Sequence, residues 1–294
     1  MNDRNNENTT ISFHHVSHAF ANKQVLKDVT FSVKEGEIFG LLGPSGAGKT
    51  TIINILTGQL KQDSGEAMIL SENCNYLSKE LHRNLGIMMD SLGLFERLSI
   101  YDNLGFFADL QGIKHSKIDE VLKAVGLYHE KKSVIGKLSK GMKNRTSLAR
   151  AVLSDSKILF LDEPTSGLDP TTVNEIHELI FSYRNKGCTV FMTTHNMTEA
   201  ENLCDHVALL HQGVIVEQGT PKEICLRHNK NKQLIITLNN NEVLTLSNGP
   251  ESAERLQALM LHDEIAMIRS NEPDLKTVFL ELTGNNATKL ERCI

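Results

Sequence analysis

Long apolar runs are missing from this 294-residue chain, which excludes the simplest membrane roles. A bilayer span needs roughly 20 consecutive apolar residues. The apolar stretches at 38–42 and 158–161 are far shorter and read as buried strands. The first ten residues are polar and Asn-rich, with no apolar stretch behind a basic start, so no secretory leader is expected. Paired cysteines are missing as well. The five cysteines (Cys74, Cys188, Cys204, Cys225 and Cys293) form no C-x-x-C pair. An odd count at irregular spacing suits reduced thiols in the cytosol better than a disulfide framework. There is no basic excess: the formal charge of −5 argues against a nucleic-acid partner, which would call for a basic balance or face. Internal repeats, low-complexity blocks and long coiled-coil patterns are absent too. What remains is a chain that is 40% apolar, enough to bury a core. Its length suits one large α/β domain and a small appendage. Any membrane role would need a separate spanning chain.

Residues 1–10 read as a mobile lead-in. Strand composition follows at 11–13, 29–33 and 37–42, with turn signals at Asn22 and at Glu35-Gly36. A Gly-rich loop then opens a helix over about 48–57, and short strands are expected at 67–70 and 85–89. From about 100 to 153 the pattern turns helical, with Ile118, Val121, Leu122 and Val125 at helical spacing. Strand character returns at 157–161, 189–193 and 207–210. The expected plan is therefore an α/β domain over 11–225 with a helical insert at about 91–154. Residues 226–232 are polar and basic and read as a linker. Residues 233–294 read as a small α+β appendage, with strands at 234–238, 243–246 and 265–268 and helices at 253–260 and 275–282.

Gly43-Pro44-Ser45-Gly46-Ala47-Gly48-Lys49-Thr50 fits G-x-x-x-x-G-K-[ST] at every fixed position. Its glycines let backbone N–H groups turn inward on phosphates, which a Cβ would obstruct. The helix that begins there points its positive end at the same place, with Thr51 in its first turn. Lys49 can reach the β- and γ-phosphates, and the Thr50 hydroxyl can ligate Mg²⁺. ATP and Mg²⁺ are therefore the expected ligands. The segment 158–163 is an apolar strand ending in two adjacent carboxylates, which a metal nucleotide would explain. Asp162 would hold the metal, and Glu163 would polarise the water that attacks the γ-phosphate. Asp169 and Pro170 can cap and open the following helix whatever else they do.

Leu138-Ser139-Lys140-Gly141-Met142, just upstream of that strand, resembles the signature motif of the ATP-binding-cassette (ABC) ATPases. Ser139 is also a good N-cap, leaving a second helix start open to a phosphate. Two such starts in one chain suggest that two subunits share each nucleotide. The resemblance covers nearly all of 11–224. It implies a P-loop fold with a mixed sheet core, an N-terminal antiparallel part and an inserted helical subdomain. It further implies a head-to-tail homodimer in which Ser139, Gly141 and Met142 complete the partner's ATP site. His195, in Thr193-Thr194-His195-Asn196, matches the family's switch histidine. Phe20, with Val25 nearby, lies where the family stacks an aromatic residue on adenine. Asp90 stands where the family has Gln, a position that would touch Mg²⁺, and Lys140 and Met142 replace the commoner signature Gly and Gln. His14, His15 and His18 are open to a metal reading or an ordinary structural one.

The tail 272–284 is similar to the closing segment of ATPases in ABC-2-type exporters of drugs, antibiotics, bacteriocins or polysaccharides. Its stripe of Leu275, Val278, Phe279 and Leu282 reads otherwise as core or a dimer face. The run 91–95 resembles the same group where it docks the permease, and its apolar residues suit a partner surface. The resemblance thus implies a Mg²⁺-dependent ATPase on the cytoplasmic face of a membrane, driving a separate permease. An importer ATPase would share the central motifs. A soluble ATPase of DNA repair or translation would more often carry coiled coils, zinc cysteines or tandem cassettes. A catalytically idle ATP-binding module is supported only by Asp90.

Overall fold

The computed structural model describes residues 9–89 and 93–284. They fall into two compact units that divide between Gln218 and Gly219. The first unit opens with β1 (Thr9–Phe20), β2 (Lys23–Lys34), β3 (Ile38–Leu42), α1 (Lys49–Leu56), β4 (Ser64–Ile69) and β5 (Glu72–Asn73). Next come α2 (Lys79–Arg83), β6 (Leu85–Met88), α3 (Ile100–Gln111), α4 (Ser116–Ala124) and α5 (Lys140–Ala151). It ends with β7 (Ile158–Asp162), α6 (Pro170–Asn185), β8 (Thr189–Thr194), α7 (Met197–Leu203), β9 (His206–His211) and β10 (Val214–Gly219).

A six-stranded sheet in the order β10-β9-β3-β8-β7-β6 forms the centre of this unit. Strands β9, β3, β8, β7 and β6 run parallel. All five residues of β3 and of β7 are buried, as an apolar run covered on both faces requires. A second sheet, β2-β1-β4-β5, pairs antiparallel. The two sheets meet through one column of rings. Phe13 stacks on Phe31 at 5.0 Å, Phe31 on Phe39 at 5.3 Å and Phe39 on Phe191 at 5.6 Å, with Phe160 at 5.7 Å from Phe191.

Strands β1 and β2 are each 12 residues long, well beyond the short runs expected at 11–13 and 29–33. Irregular register between Phe13 and Ala19 explains the difference. Each bulge shifts the side chains to the other face and erases the two-residue alternation by which a strand is recognised. The extension carries Phe20 to the end of β1.

Helices α3, α4 and α5 pack on one another and form the helical insert. Ile100, Leu104, Ile118, Val121, Leu122 and Leu148 are all buried within it. Asn103, fully buried, explains how the preceding loop is held. Its Oδ1 accepts from the Phe95 N–H at 2.8 Å, and its Nδ2 donates to the Phe95 and Ser99 carbonyls. Among the described residues no helix is long and apolar enough to cross a membrane.

The second unit holds α8 (Pro221–His228), β11 (Gln233–Leu238), β12 (Val243–Ser247), α9 (Ala253–Leu261), β13 (Ile265–Ser270) and α10 (Leu275–Leu282). Its antiparallel sheet has the order β12-β11-β13, with Ile236, Leu238 and Leu259 at its core. Helix α8 starts with a full capping box between Thr220 and Glu223. It runs to His228, so the stretch read as a linker at 226–232 begins inside a helix. On α10 the stripe divides: Leu275, Val278 and Phe279 are buried, while Leu282 is 38% exposed.

Candidate nucleotide site

Parallel pairing sets the ends of three adjacent strands side by side. Leu42 at the end of β3 lies opposite Thr194 on β8, and Asp162 at the end of β7 lies opposite Thr193. The loops that leave these ends therefore converge, as ligand sites do at the carboxyl edge of open α/β sheets.

The loop after β3 wraps tightly. A Cβ on Gly43 would sit 2.3 Å from the Leu210 carbonyl oxygen, so no larger residue fits there. Gly48 has φ +115°, and its Cβ would lie 2.7 Å from Leu26 Cδ2. No side chain caps α1, and the first bond in the helix is from the Ile52 N–H to the Gly48 carbonyl. The N–H groups of Lys49, Thr50 and Thr51 are left for a ligand at the positive end of the helix. Lys49, 7% exposed, donates to the carbonyls of Gly43 at 2.7 Å and Pro44 at 3.3 Å. Its Nζ also lies 3.3 Å from Glu163 Oε1.

Asp162 is buried and accepts from Thr50 Oγ1 at 3.0 Å and Thr193 Oγ1 at 2.5 Å. Glu163 follows at φ 50°, a left-handed conformation that costs a non-glycine residue about 1–3 kcal/mol. Its N–H holds that geometry by donating to the Thr193 carbonyl at 3.1 Å and to Thr193 Oγ1 at 3.2 Å. The Glu163 carboxylate lies between two partners. Lys49 lies on one side, and His195 Nδ1, 2.6 Å from Oε2, on the other.

Phe20, Lys23, Val25, Ser45, Gly46, Gly48, Lys49, Thr50, Thr51, Asp162 and Glu163 line one cleft of about 380 Å³. Phe20 is 51% exposed there, with the His18 ring edge-on to it at 4.7 Å. A flat apolar face at one end and a phosphate cradle at the other match the two ends of a nucleotide. Ser139, Gly141 and Met142 do not line this cleft. They lie at the start of α5, where Ser139 Oγ accepts from the Met142 N–H at 3.2 Å, as an N-cap should. Asp169 caps α6 in the same way through the Thr172 N–H, with Pro170 next.

Thr50 and Asp162 supply two hard oxygens, which suits Mg²⁺ because that ion takes its remaining positions from phosphate and water. Among the described residues there is no cluster of three or more His, Cys, Asp or Glu that could hold a metal. Of the early histidines, His15 pairs with Asp28 at 2.7 Å and His18 lies 3.4 Å from Asp63. Asp90, Ser91 and Leu92 lie outside the described residues.

The sequence reading missed Lys23, Thr193 and a carboxylate beside the site. Glu199 on α7 is buried and accepts from Thr165 Oγ1 at 2.6 Å, His177 Nε2 at 3.0 Å and Thr194 Oγ1 at 2.7 Å. Burial alone would raise its pKa, but those bonds together outweigh it and hold the carboxyl below its ordinary value. A charged residue at a helix start is ordinary, so no local signal marked it.

Residues 26–166 match the family described as ABC transporter. The chain is 34% identical over 278 residues to a fluoroquinolones export ATP-binding protein of Mycobacterium tuberculosis, spanning 91% of this chain and 90% of that relative. It is 41% identical over 201 residues to a bacitracin transport ATP-binding protein of Bacillus licheniformis, spanning 68% and 66%. Among solved structures it resembles a dimeric bacterial ABC transporter cassette, at TM-score 0.67 and 25% identity over 71% of this chain and 98% of that one.

Proposed function

Because the chain belongs to the ATP-binding family of ABC transporters, we propose that it is the ATP-hydrolysing subunit of an ABC-2-type exporter, acting with a separate membrane-spanning permease. The observation that carries hydrolysis is Glu163, held on a strained turn between Lys49 and His195 at the mouth of the phosphate cradle. One relative's name gives fluoroquinolone export and another's bacitracin transport, which supports export of compounds of the drug or antibiotic class.

In this reading the open N–H groups of 49–51 and the Lys49 ammonium take the phosphates, and Phe20 and Val25 receive the adenine. Thr50 and Asp162 hold Mg²⁺, which when bound neutralises phosphate charge. Glu163 accepts the proton of the attacking water, and His195 orients Glu163 and meets the γ-phosphate. Ser139, Gly141 and Met142, which do not line their own cleft, serve the cleft of a second copy, so ATP draws two chains into a head-to-tail dimer. A solved cassette of similar fold is dimeric, which supports the pairing of two chains. The first unit acts as the catalytic cassette and the second as an accessory domain. The exposed aromatics Phe95 and Phe106, 5.0 Å apart in the helical insert, suit a permease contact on the cytoplasmic face of the membrane.

Lys49→Ala should lower Mg²⁺-dependent ATP turnover by about a hundredfold or more, because it removes the charge aimed at the phosphates. Phosphate release and nucleotide binding measure this, and a variant with undiminished turnover would remove the basis of the reading. For export, the chain purified from its native membranes should bring down a polytopic membrane protein. Recovery of ribosomes or nucleic acid instead would overturn the transport assignment.

A further inference from the structure

His195 is 59% exposed on its side chain, and Glu163 is the partner of its ring. Neither residue sits inside a regular element: Glu163 follows β7 and His195 follows β8. Their 2.6 Å meeting therefore depends on how the two loops are held relative to each other. Thr193 holds the Glu163 N–H from the end of β8, and beyond it one side chain bonds to both loops. Glu199 accepts from Thr165, two positions after Glu163, and from Thr194, immediately before His195. Its third donor, His177, lies on α6, the helix that follows the first loop. The His195 side of this tie is braced locally as well. Asn196, just after His195, donates its N–H to Thr194 Oγ1 at 3.0 Å and accepts from the Glu199 N–H at 3.2 Å.

If burial stability were all that this position had to supply, an apolar side chain of similar size would serve as well, since buried ion pairs rarely outperform packed hydrocarbon. A carboxylate differs in being directional. Its two oxygens take three donors from three segments, and all three are met only when those segments keep one arrangement.

We propose that Glu199 is a positioning residue for hydrolysis: it fastens the Glu163 loop to the His195 loop and so sets the geometry of the water-activating pair. This rests on the roles assigned above to Glu163 and His195. Glu199 touches neither the cleft nor the phosphate loop, so its effect belongs in kcat and not in nucleotide affinity. Glu199→Gln keeps the shape but turns one acceptor into a donor that faces donors already in place.

The test is a double-mutant cycle read by steady-state ATP turnover on the full chain, with thermal unfolding to confirm that each variant is folded. Glu199→Gln should lower kcat about tenfold, with KM for ATP changed less than about twofold, as for a loss confined to the transition state. In a His195→Ala background the same substitution should cost less than about twofold, because the histidine it positions is gone. Thr165→Val should repeat the loss and Thr165→Ser should restore activity, which separates the hydrogen bond from packing. Unchanged turnover in His195→Ala alone would overturn the role of His195 and leave the inference without its premise. Lowered turnover there, with the full Glu199→Gln loss on top of it, would overturn the inference alone. So would a loss in Glu199→Gln that appears in KM.

Discussion

Glu163→Gln is expected to cut ATP turnover by about 10²–10⁴-fold, the usual contribution of a general base. The change is nearly isosteric, so the turn at φ 50° and its two bonds from the Glu163 N–H to Thr193 should persist. What disappears is the negative charge that can accept a proton from water. The same change frees Lys49, whose Nζ lies 3.3 Å from the carboxylate, to give its whole charge to a phosphate. ATP should therefore bind at least as well, and the chain should accumulate as an ATP-bound dimer. Phosphate release and size-exclusion chromatography with Mg²⁺-ATP measure the two halves of this expectation. Turnover at the original rate would remove Glu163 from the role of base, and a monomer throughout would count against the shared site.

Phe191→Ala should lower the stability of the first unit by about 3–5 kcal/mol, the range for emptying a buried aromatic site. Phe191 is fully buried in β8, with the rings of Phe31, Phe39 and Phe160 at 5.8, 5.6 and 5.7 Å. Removing its ring opens a cavity where the antiparallel sheet meets the parallel one, and neither sheet backbone can collapse into it. A domain holds only about 5–15 kcal/mol in all, so a large part of its margin would go. Urea unfolding followed by far-ultraviolet dichroism reads the shift. A midpoint unchanged from the parent would mean that the ring column does not join the sheets as described. Any accompanying loss of activity should track the unfolded fraction, in contrast to Glu163→Gln, which should remain folded and idle.

The shape of the glycine-rich loop at 43–50 was legible in the sequence for a physical reason. Gly43, Gly48, Lys49 and Thr50 act through backbone shape and reach within eight residues, so their spacing is itself the geometry. Asp162 and Glu163 were legible because two charges ending an apolar strand are costly without a ligand. The helical insert was legible because its core residues recur at helical spacing. The bulged β1 was not, because each irregularity resets the alternation.

Relations between segments distant along the chain had to come from the fold. Thr193 became the clamp on Asp162 and Glu163 only when β8 was placed beside β7. Thr165, His177 and Thr194 gained a common partner only when the fold brought a loop, a helix and a strand end around Glu199. The five rings of the aromatic column come from five strands, and nothing in their spacing ties them together. Local motifs thus marked which groups are candidates to meet a nucleotide, because the 43–50 loop and the 162–163 pair each carry their chemistry within a few residues. Parallel pairing across the sheet settled how those groups are aimed, because only there do separate strand ends become neighbours.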